Sequence, residues 1–456
     1  MAKNNKSYIC SECGYKSAVQ YGKCPNCKSF GTLELQIEEQ DDKVTQTRMT
    51  SRNTKANKLK EVIALNTGNL LKTNINEFDR VVGGGLVPDS VNVISAPPGT
   101  GKSTLLLSVS QALAEQGHNV LYIAGEESES QIKLRAERIL PNISERIFIK
   151  SETNLETICD TIDVISPDFL IIDSIQMMFS SQCEGTLGGE KQLLYCTSSI
   201  LNKAKGSDKN ICVFFVGQVT KEDELRGSRE FEHLVDAVFT LSIGDESGML
   251  RMLKSTKNRF GDTSEVGLFE MREDGLKEIT NPNKYFITER TTPVAGSAIS
   301  AIKEGTRTIA IEITALAETN NFTYPSRISQ GISKDFLQIL LAVMENKISE
   351  NTKKKDIYVQ TSNGIRVKDN YIGLGIVAAI DSAISKIPIS TDIAFIGEVS
   401  LTGEIKKVPN IDRIISDFER MGFKEIVIPK NNKQKKYDKI KIVEIDNIKD
   451  IRTIIK

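Results

Sequence analysis

No apolar run in this 456-residue chain approaches the roughly 18 residues a helix needs to span a bilayer, which excludes a helical membrane protein. The first residues, Met1 to Tyr8, are polar and lack the apolar centre of a secretory signal. The chain is therefore expected to be cytoplasmic, with no membrane partner. Excess charge is missing as well. A formal net charge of −1 excludes a protein that coats nucleic acid by bulk charge, so any DNA or RNA contact must come from local patches or loops. Cysteine is sparse outside the first 27 residues. Cys159, Cys183, Cys196 and Cys212 are scattered through a later apolar-rich region and read as small buried hydrophobes.

The length exceeds one ordinary core and predicts two or three domains. With 39% hydrophobic and 26% charged residues, most of the chain should be globular. Residues 1–30 form a cysteine-rich module, and 31–58 read as a flexible tether, because 38–58 hold hardly any apolar anchor. Over 59–280 apolar runs alternate with amphipathic stretches. Val91–Ser95, Val120–Ala124, Phe169–Asp173 and Val213–Gly217 read as buried strands and Ser103–Gln116 as a helix, implying a mostly parallel sheet with helices on both faces. A second α/β region, 281–456, follows the Asn281–Pro282 break. Its expected strands are Ile309–Ala315, Asp356–Gln360, Ile393–Ile396, Val399–Lys406 and Glu425–Ile428. Its expected helices are Lys334–Ser349, Ile372–Ile387 and Ile411–Met421.

Cys10, Cys13, Cys24 and Cys27 form two CxxC pairs separated by ten residues. Each CxxC turn sets two thiolates on one side of a metal, and four soft ligands suit tetrahedral Zn²⁺. A redox dithiol fits less well, since no strand–helix context surrounds either pair. With so few apolar residues, the module must draw most of its folding energy from metal binding.

Ala96, Pro97, Pro98, Gly99, Thr100, Gly101, Lys102, Ser103 and Thr104 follow a strand and open a helix, the setting of a P-loop for ATP. Backbone N–H groups from Gly99 to Lys102 can wrap phosphates, aided by the positive helix N-terminus. Lys102 should reach the β- and γ-phosphates, and Ser103 should bind Mg²⁺. Ala96 stands where the common pattern has Gly, a change that still permits close backbone approach. Glu126, with Glu127 in reserve, is the expected base that orients water, set on the strand beside the P-loop strand. The bland alternative is a pair of solvated charges. Phe169–Asp173 ends an apolar strand in a carboxylate, so Asp173 is the second expected Mg²⁺ residue. Gln218, at the end of a fourth strand, is a candidate sensor of the γ-phosphate. The charged loop after it, Val219–Glu230, is either a solvated connection or a nucleotide-gated DNA contact. Lys257 and Arg259, two apart on an expected strand, project the same way and can pair with a phosphate; a salt-bridged strand is the plain alternative.

In order along the chain stand the four-cysteine module, Glu77-Phe-Asp-Arg-Val-Val-Gly-Gly-Gly85, the P-loop, Gly125-Glu-Glu-Ser128, Ile172-Asp-Ser-Ile-Gln176, Val216-Gly-Gln-Val-Thr220 and Lys257-Asn-Arg-Phe-Gly261. In these motifs the chain resembles the bacterial RadA (Sms) recombination family over nearly its whole length. The resemblance implies an N-terminal zinc ribbon, a RecA-like P-loop ATPase core and a C-terminal Lon-protease-like α/β domain. It also implies a homo-hexameric ring on single-stranded and branched DNA that promotes branch migration in homologous recombination and repair alongside RecA. Lys257 and Arg259 would reach the γ-phosphate of the adjacent protomer, and the ribbon would meet RecA. The chain departs from the family in lacking tryptophan, in Ala96, and in Gln218 where His is more common.

Gly397-Glu-Val-Ser-Leu-Thr-Gly-Glu404 resembles a strand–turn–strand of the Lon proteolytic domain. A protease of that type needs a Ser nucleophile and a Lys base. Alignment with Lon puts Ile372 and Asp412 at those positions, and neither can act. The region is expected to be a non-proteolytic scaffold, with Lys353–Lys355, Lys406–Lys407 and Lys433–Lys439 as basic DNA candidates or solvated faces. An ATP-gated protein scaffold that does not remodel DNA is the remaining rival.

Overall fold

The computed structural model describes residues 6–11, 15–17, 22–30, 33–37, 70–206, 210–218, 229–320, 324–348 and 352–455. Cys13 and the loop over 219–228 lie outside them, as does the tether expected over 31–58 except for Leu33–Ile37, which form a strand and not a tether. The chain divides into two compact units, Met1–Leu65 and Asn66–Lys456.

In the first unit, strands β1 (Lys6–Cys10), β2 (Lys16–Ser17) and β3 (Leu33–Ile37) form an antiparallel sheet with β1 in the middle. A tight turn lies between β2 and β3. Lys28 N donates to the Cys24 carbonyl and Cys24 N to the Ser29 carbonyl, both at 2.9 Å, and Lys28 adopts a φ of 64°. Cys24 and Cys27 belong to this turn, and Cys24 is buried.

The second unit opens with α1 (Asn76–Val82), which ends on Gly83 in left-handed backbone. It continues β4 (Val91–Ala96), α2 (Lys102–Glu115), β5 (Val120–Ala124), α3 (Glu129–Ile139), β6 (Ile147–Ser151), α4 (Leu155–Ile165), β7 (Phe169–Asp173), α5 (Glu190–Gly206), β8 (Cys212–Gln218) and α6 (Arg229–Leu234). Strands β9 (Ala237–Ile243), β10 (Leu250–Asn258), β11 (Val266–Arg272) and β12 (Gly275–Glu278) complete one sheet, ordered β12-β11-β10-β9-β4-β8-β7-β5-β6. From β9 to β6 all pairings are parallel, while β10, β11 and β12 add an antiparallel annex that the apolar runs had not announced.

Alternation along the strands explains the layering. Ile94, Tyr122 and Ile171 face α1, α2 and α3, whereas Val93, Ile123, Ile172 and Phe215 face α4, α5 and α6. Successive side chains of a strand point to opposite faces, so a run apolar at every position demands cover on both.

The remainder is a seven-stranded sheet. In chain order its parts are α7 (Pro282–Phe286), β13 (Ser297–Glu304), β14 (Arg307–Thr319), β15 (Arg327–Gln330), α8 (Lys334–Lys347), β16 (Lys355–Thr361), α9 (Gly373–Ser385), β17 (Ile393–Phe395), β18 (Glu398–Val399), β19 (Ile405–Lys406), α10 (Ile411–Met421), β20 (Glu425–Pro429), β21 (Lys441–Ile445) and α11 (Ile451–Ile454). Their order is β15-β16-β14-β13-β17-β20-β21, with β18 and β19 as a separate hairpin. The single strand expected over Val399–Lys406 is therefore this hairpin, turned at Gly403 with a φ of 86°. Helices α8, α9 and α11 cover one face, together with Leu250, Met252, Val266 and Leu268 from the annex; α10 covers the other. The two sheets thus share a hydrophobic core. They are also clasped at the turn before β10: Glu246 N donates to the Gly364 carbonyl at 3.1 Å, Arg366 N to the Gly244 carbonyl at 3.2 Å, and Gly331 N to Glu246 Oε1 at 3.2 Å.

Candidate nucleotide site

The chain leaves the fully buried β4 at Ala96 and re-enters as α2, and the intervening loop is tightly held. Gly99 and Gly101 have φ of +76° and +106°, where L side chains are strained. A Cβ at Gly101 would also lie 2.7 Å from Met271 Cε and 2.9 Å from Leu276 Cδ1. Thr100 Oγ1 donates to the Pro97 carbonyl at 2.7 Å, and Lys102 Nζ folds back to the Ala96 carbonyl at 2.8 Å. Burial lowers the Lys102 pKa, while the charges of Asp173 and Glu126 oppose that shift.

Across the loop, Ser103 Oγ donates to Asp173 Oδ2 at 2.7 Å, and the Tyr122 hydroxyl donates to the same oxygen. Burial raises the Asp173 pKa; the two hydrogen bonds pull it back. A hydroxyl and a carboxylate side by side at the end of a P-loop fit a hard, oxygen-seeking cation such as Mg²⁺. Glu126 Oε1 accepts from the Ser174 hydroxyl at 2.5 Å, and Glu127 pairs with Arg135 at 2.6 Å. Lys102, Ser103, Glu126, Asp173 and Ser174 line one cavity of about 250 Å³.

The strand order differs from the expected one. The strand that leads to Glu126 does not lie beside the P-loop strand, because β8 and β7 intervene. Gln218 ends β8 opposite Ala96 and holds that neighbouring tip instead. Glu126 still reaches the cavity because Gly125 N donates to the Asp173 carbonyl at 2.6 Å, drawing the residues after β5 across to the end of β7.

Lys257 and Arg259 lie elsewhere. Strand β10 carries a register shift between Ser255 and Lys257 and ends at Asn258, so Lys257 is on the strand and Arg259 lies one residue beyond it. Asn258 pairs with Ala237, and Ala237 pairs with Asn92 on β4. Four strand steps separate Asn92 from Ala96, roughly 13 Å at about 3.3 Å each, so both residues sit at the sheet end away from their own P-loop. Lys257 Nζ donates to the Glu232 and Val235 carbonyls at 2.7 and 2.9 Å. Arg259 pairs with buried Asp236 at 3.0 Å, yet its side chain remains 53% exposed.

Comparison with known proteins follows the same divisions. Residues 8–34 match the rubredoxin metal binding domain, 56–207 the AAA domain, and 281–454 the Lon protease (S16) C-terminal proteolytic domain. The DNA repair protein RadA of Listeria monocytogenes is 38% identical over 431 residues, covering 94% of this chain and 93% of that protein. The chain belongs to the RadA family. The RadA of Bacillus subtilis is likewise 38% identical, over 95% of this chain and 94% of its own. Among solved structures, an isolated ATPase domain aligns with 46% of this chain and 91% of its own, at 14% identity and a TM-score of 0.39, too distant a likeness to argue from.

In this RadA-family chain Ile372 is fully buried just ahead of α9. Asp412 is occupied by the Gln434 and Lys435 amides at 3.1 Å and by the Tyr437 hydroxyl at 2.7 Å. Neither position offers the serine nucleophile or the lysine base of a Lon-type site. In the ribbon, Cys10 ends β1 and Cys24 and Cys27 share the tight turn. Four thiols in two such pairs suit zinc, which when bound ties the knuckles together.

Several residues escaped the sequence reading. Ser174 directly follows Asp173, and Tyr122 lies on the same strand face as Ala124, so both were within reach of pattern arguments. Asp236 and Arg251 act through contacts that strand pairing creates, and Arg135 through a bond from α3 back to Glu127, eight residues earlier.

Proposed function

We propose that this chain is a DNA-dependent ATPase that works as a six-membered ring in DNA repair and homologous recombination, driving branch migration of joint molecules alongside RecA. Two lines support the reading: membership of the RadA family, and a cavity that gathers phosphate-binding, cation-binding and carboxylate groups. The amides from Gly99 to Lys102 would grip the triphosphate, with Lys102 on the β- and γ-phosphates. Ser103 and Asp173 would hold magnesium, which supplies charge neutralisation on the phosphates. Glu126, oriented by Ser174, would accept a proton from the attacking water. Gln218 would relay the γ-phosphate's presence to the loop that follows it.

The observation that carries the ring is the placement of Lys257 and Arg259 at the sheet end remote from their own P-loop. Their phosphate would be the one bound by the next copy. On this reading the Lon-like region is a non-proteolytic scaffold whose lysine runs grip DNA phosphates. The zinc ribbon would serve the contact with RecA.

Mixing tests the arrangement. Lys102→Ala and Arg259→Ala should each lack single-stranded-DNA-stimulated hydrolysis. Their mixture should regain a measurable share, because some interfaces then combine an intact P-loop with an intact Arg259. No recovery, in a mixture shown to co-assemble, would count against action in trans. Absence of DNA stimulation in the unaltered protein would favour a scaffold over a motor.

A further inference from the structure

Arg251 takes no part in the chemistry above, yet among the described residues it is the only lysine or arginine buried to 5% exposure. It stands at the P-loop end of β10, opposite Ile243 of β9 and Phe269 of β11. Its guanidinium makes no ion pair with a carboxylate among the described residues. Instead Nε donates to the Thr100 carbonyl at 2.8 Å, and an Nη donates to the Gly248 carbonyl at 2.5 Å and the Leu250 carbonyl at 3.3 Å. Burying a cation against backbone carbonyls alone is costly, and burial lowers its pKa while Asp245 opposes the shift. A neutral side chain would fill this place more cheaply, so the contact asks for a purpose.

Peptide geometry supplies one. In a trans peptide the carbonyl of one residue and the N–H of the next point in opposite directions. A hydrogen bond that fixes the Thr100 carbonyl towards β10 therefore turns the Gly101 N–H away from β10. That N–H finds no acceptor among the described residues, as expected for a donor kept for a ligand. Gly101 adopts a φ of 106°, a conformation with few steric restraints of its own, so the peptide needs an external hold. Met271 and Leu276 press on the same residue from β11 and β12.

We propose that Arg251 is a positioning residue of the nucleotide site: it locks the Thr100–Gly101 peptide so that the Gly101 N–H faces the phosphates. The antiparallel annex is then the brace of the phosphate cradle. This inference rests on the nucleotide-site reading, and its test separates the two. In Arg251→Met, of similar size but without donors, the Kd for a fluorescent ADP and the KM for ATP should rise about tenfold or more, as for loss of a hydrogen bond to a charged group. Turnover at saturating ATP should change far less. Arg251→Lys should recover part of the affinity, since an ammonium can still donate to the Thr100 carbonyl. A lower melting temperature with ADP affinity within about twofold of the unaltered protein would mean a purely structural arginine and overturn the proposal. If Arg251→Met does not fold, Arg251→Lys and Arg251→Gln carry the same comparison. Lys102→Ala serves as the control: normal turnover there sinks the nucleotide site itself, whereas loss there beside unchanged affinity in the Arg251 variants sinks only the brace.

Discussion

Glu126 and Glu127 are adjacent in the chain and differ only in their partners. Both line the cavity, where the Ser174 hydroxyl holds Glu126 while Arg135 engages Glu127. Glu126→Gln should therefore reduce hydrolysis by about 100-fold or more while nucleotide binding persists. Glu127→Gln should cost only a part-exposed ion pair, and turnover should stay within a few-fold of normal. Steady-state hydrolysis beside ADP titration separates them, and equal losses would end the distinction. From the sequence both glutamates were candidates, because the deciding partners lie 48 and 8 residues away. Lys102, Ser103 and Asp173 were legible because each belongs to a contiguous motif whose neighbours dictate its place. Arg251 was not, since 151 residues separate it from the carbonyl it holds.

Between strands the same divide recurs. Mostly apolar runs disclosed β4, β5, β7 and β8, since a strand covered on both faces is apolar at nearly every position; in β4 the buried exceptions are Asn92 and Ser95. They did not disclose the order of those strands, which is set by pairing between distant segments and which moved Glu126 away from the P-loop's neighbour. The register shift ahead of Lys257 was equally hidden, since a bulge leaves no compositional mark there. The connector before β13 also depends on a distant partner. Glu312 on β14 accepts from Thr288 N at 3.1 Å and from Ser297 Oγ at 2.5 Å, and it pairs with Arg290. Burial pushes its pKa up, but these donors outweigh burial and hold it below the usual glutamate value. A carboxylate depressed in the folded state stabilises above its unfolded pKa, about 4.3, and loses that contribution as pH falls through the lower folded value. Glu312→Gln should lower the melting temperature near neutral pH and soften its further fall below about pH 4.3. Parallel acid slopes in melting series of the two proteins would refute this.

At the scale of the whole molecule, the three-part plan was legible because each part has its own signature: paired cysteines, a P-loop with alternating strands, and a second run of α/β pattern. The shared core was not legible, because Leu250, Met252, Val266 and Leu268 read as ordinary strand residues until a second sheet is laid against them. The ribbon belongs to a compact unit of its own, so a substitution in it is expected to spare the ATPase region. Cys24→Ser should lose bound zinc, measured by metal analysis, with basal ATP hydrolysis unchanged; full zinc content in that variant would remove the site.

The clasp at residues 244–248 gives the arrangement a mechanical meaning. The segment that fastens onto Gly331, Gly364 and Arg366 runs straight into the strand bearing Arg251. A P-loop that shifts as phosphate arrives and leaves would tug on that segment, which hydrogen bonds tie to Thr100 at one end and to Gly364 and Arg366 at the other. Each catalytic cycle would then be felt by the C-terminal half as a crank is felt by its wheel, through bonded backbone and not through a flexible hinge.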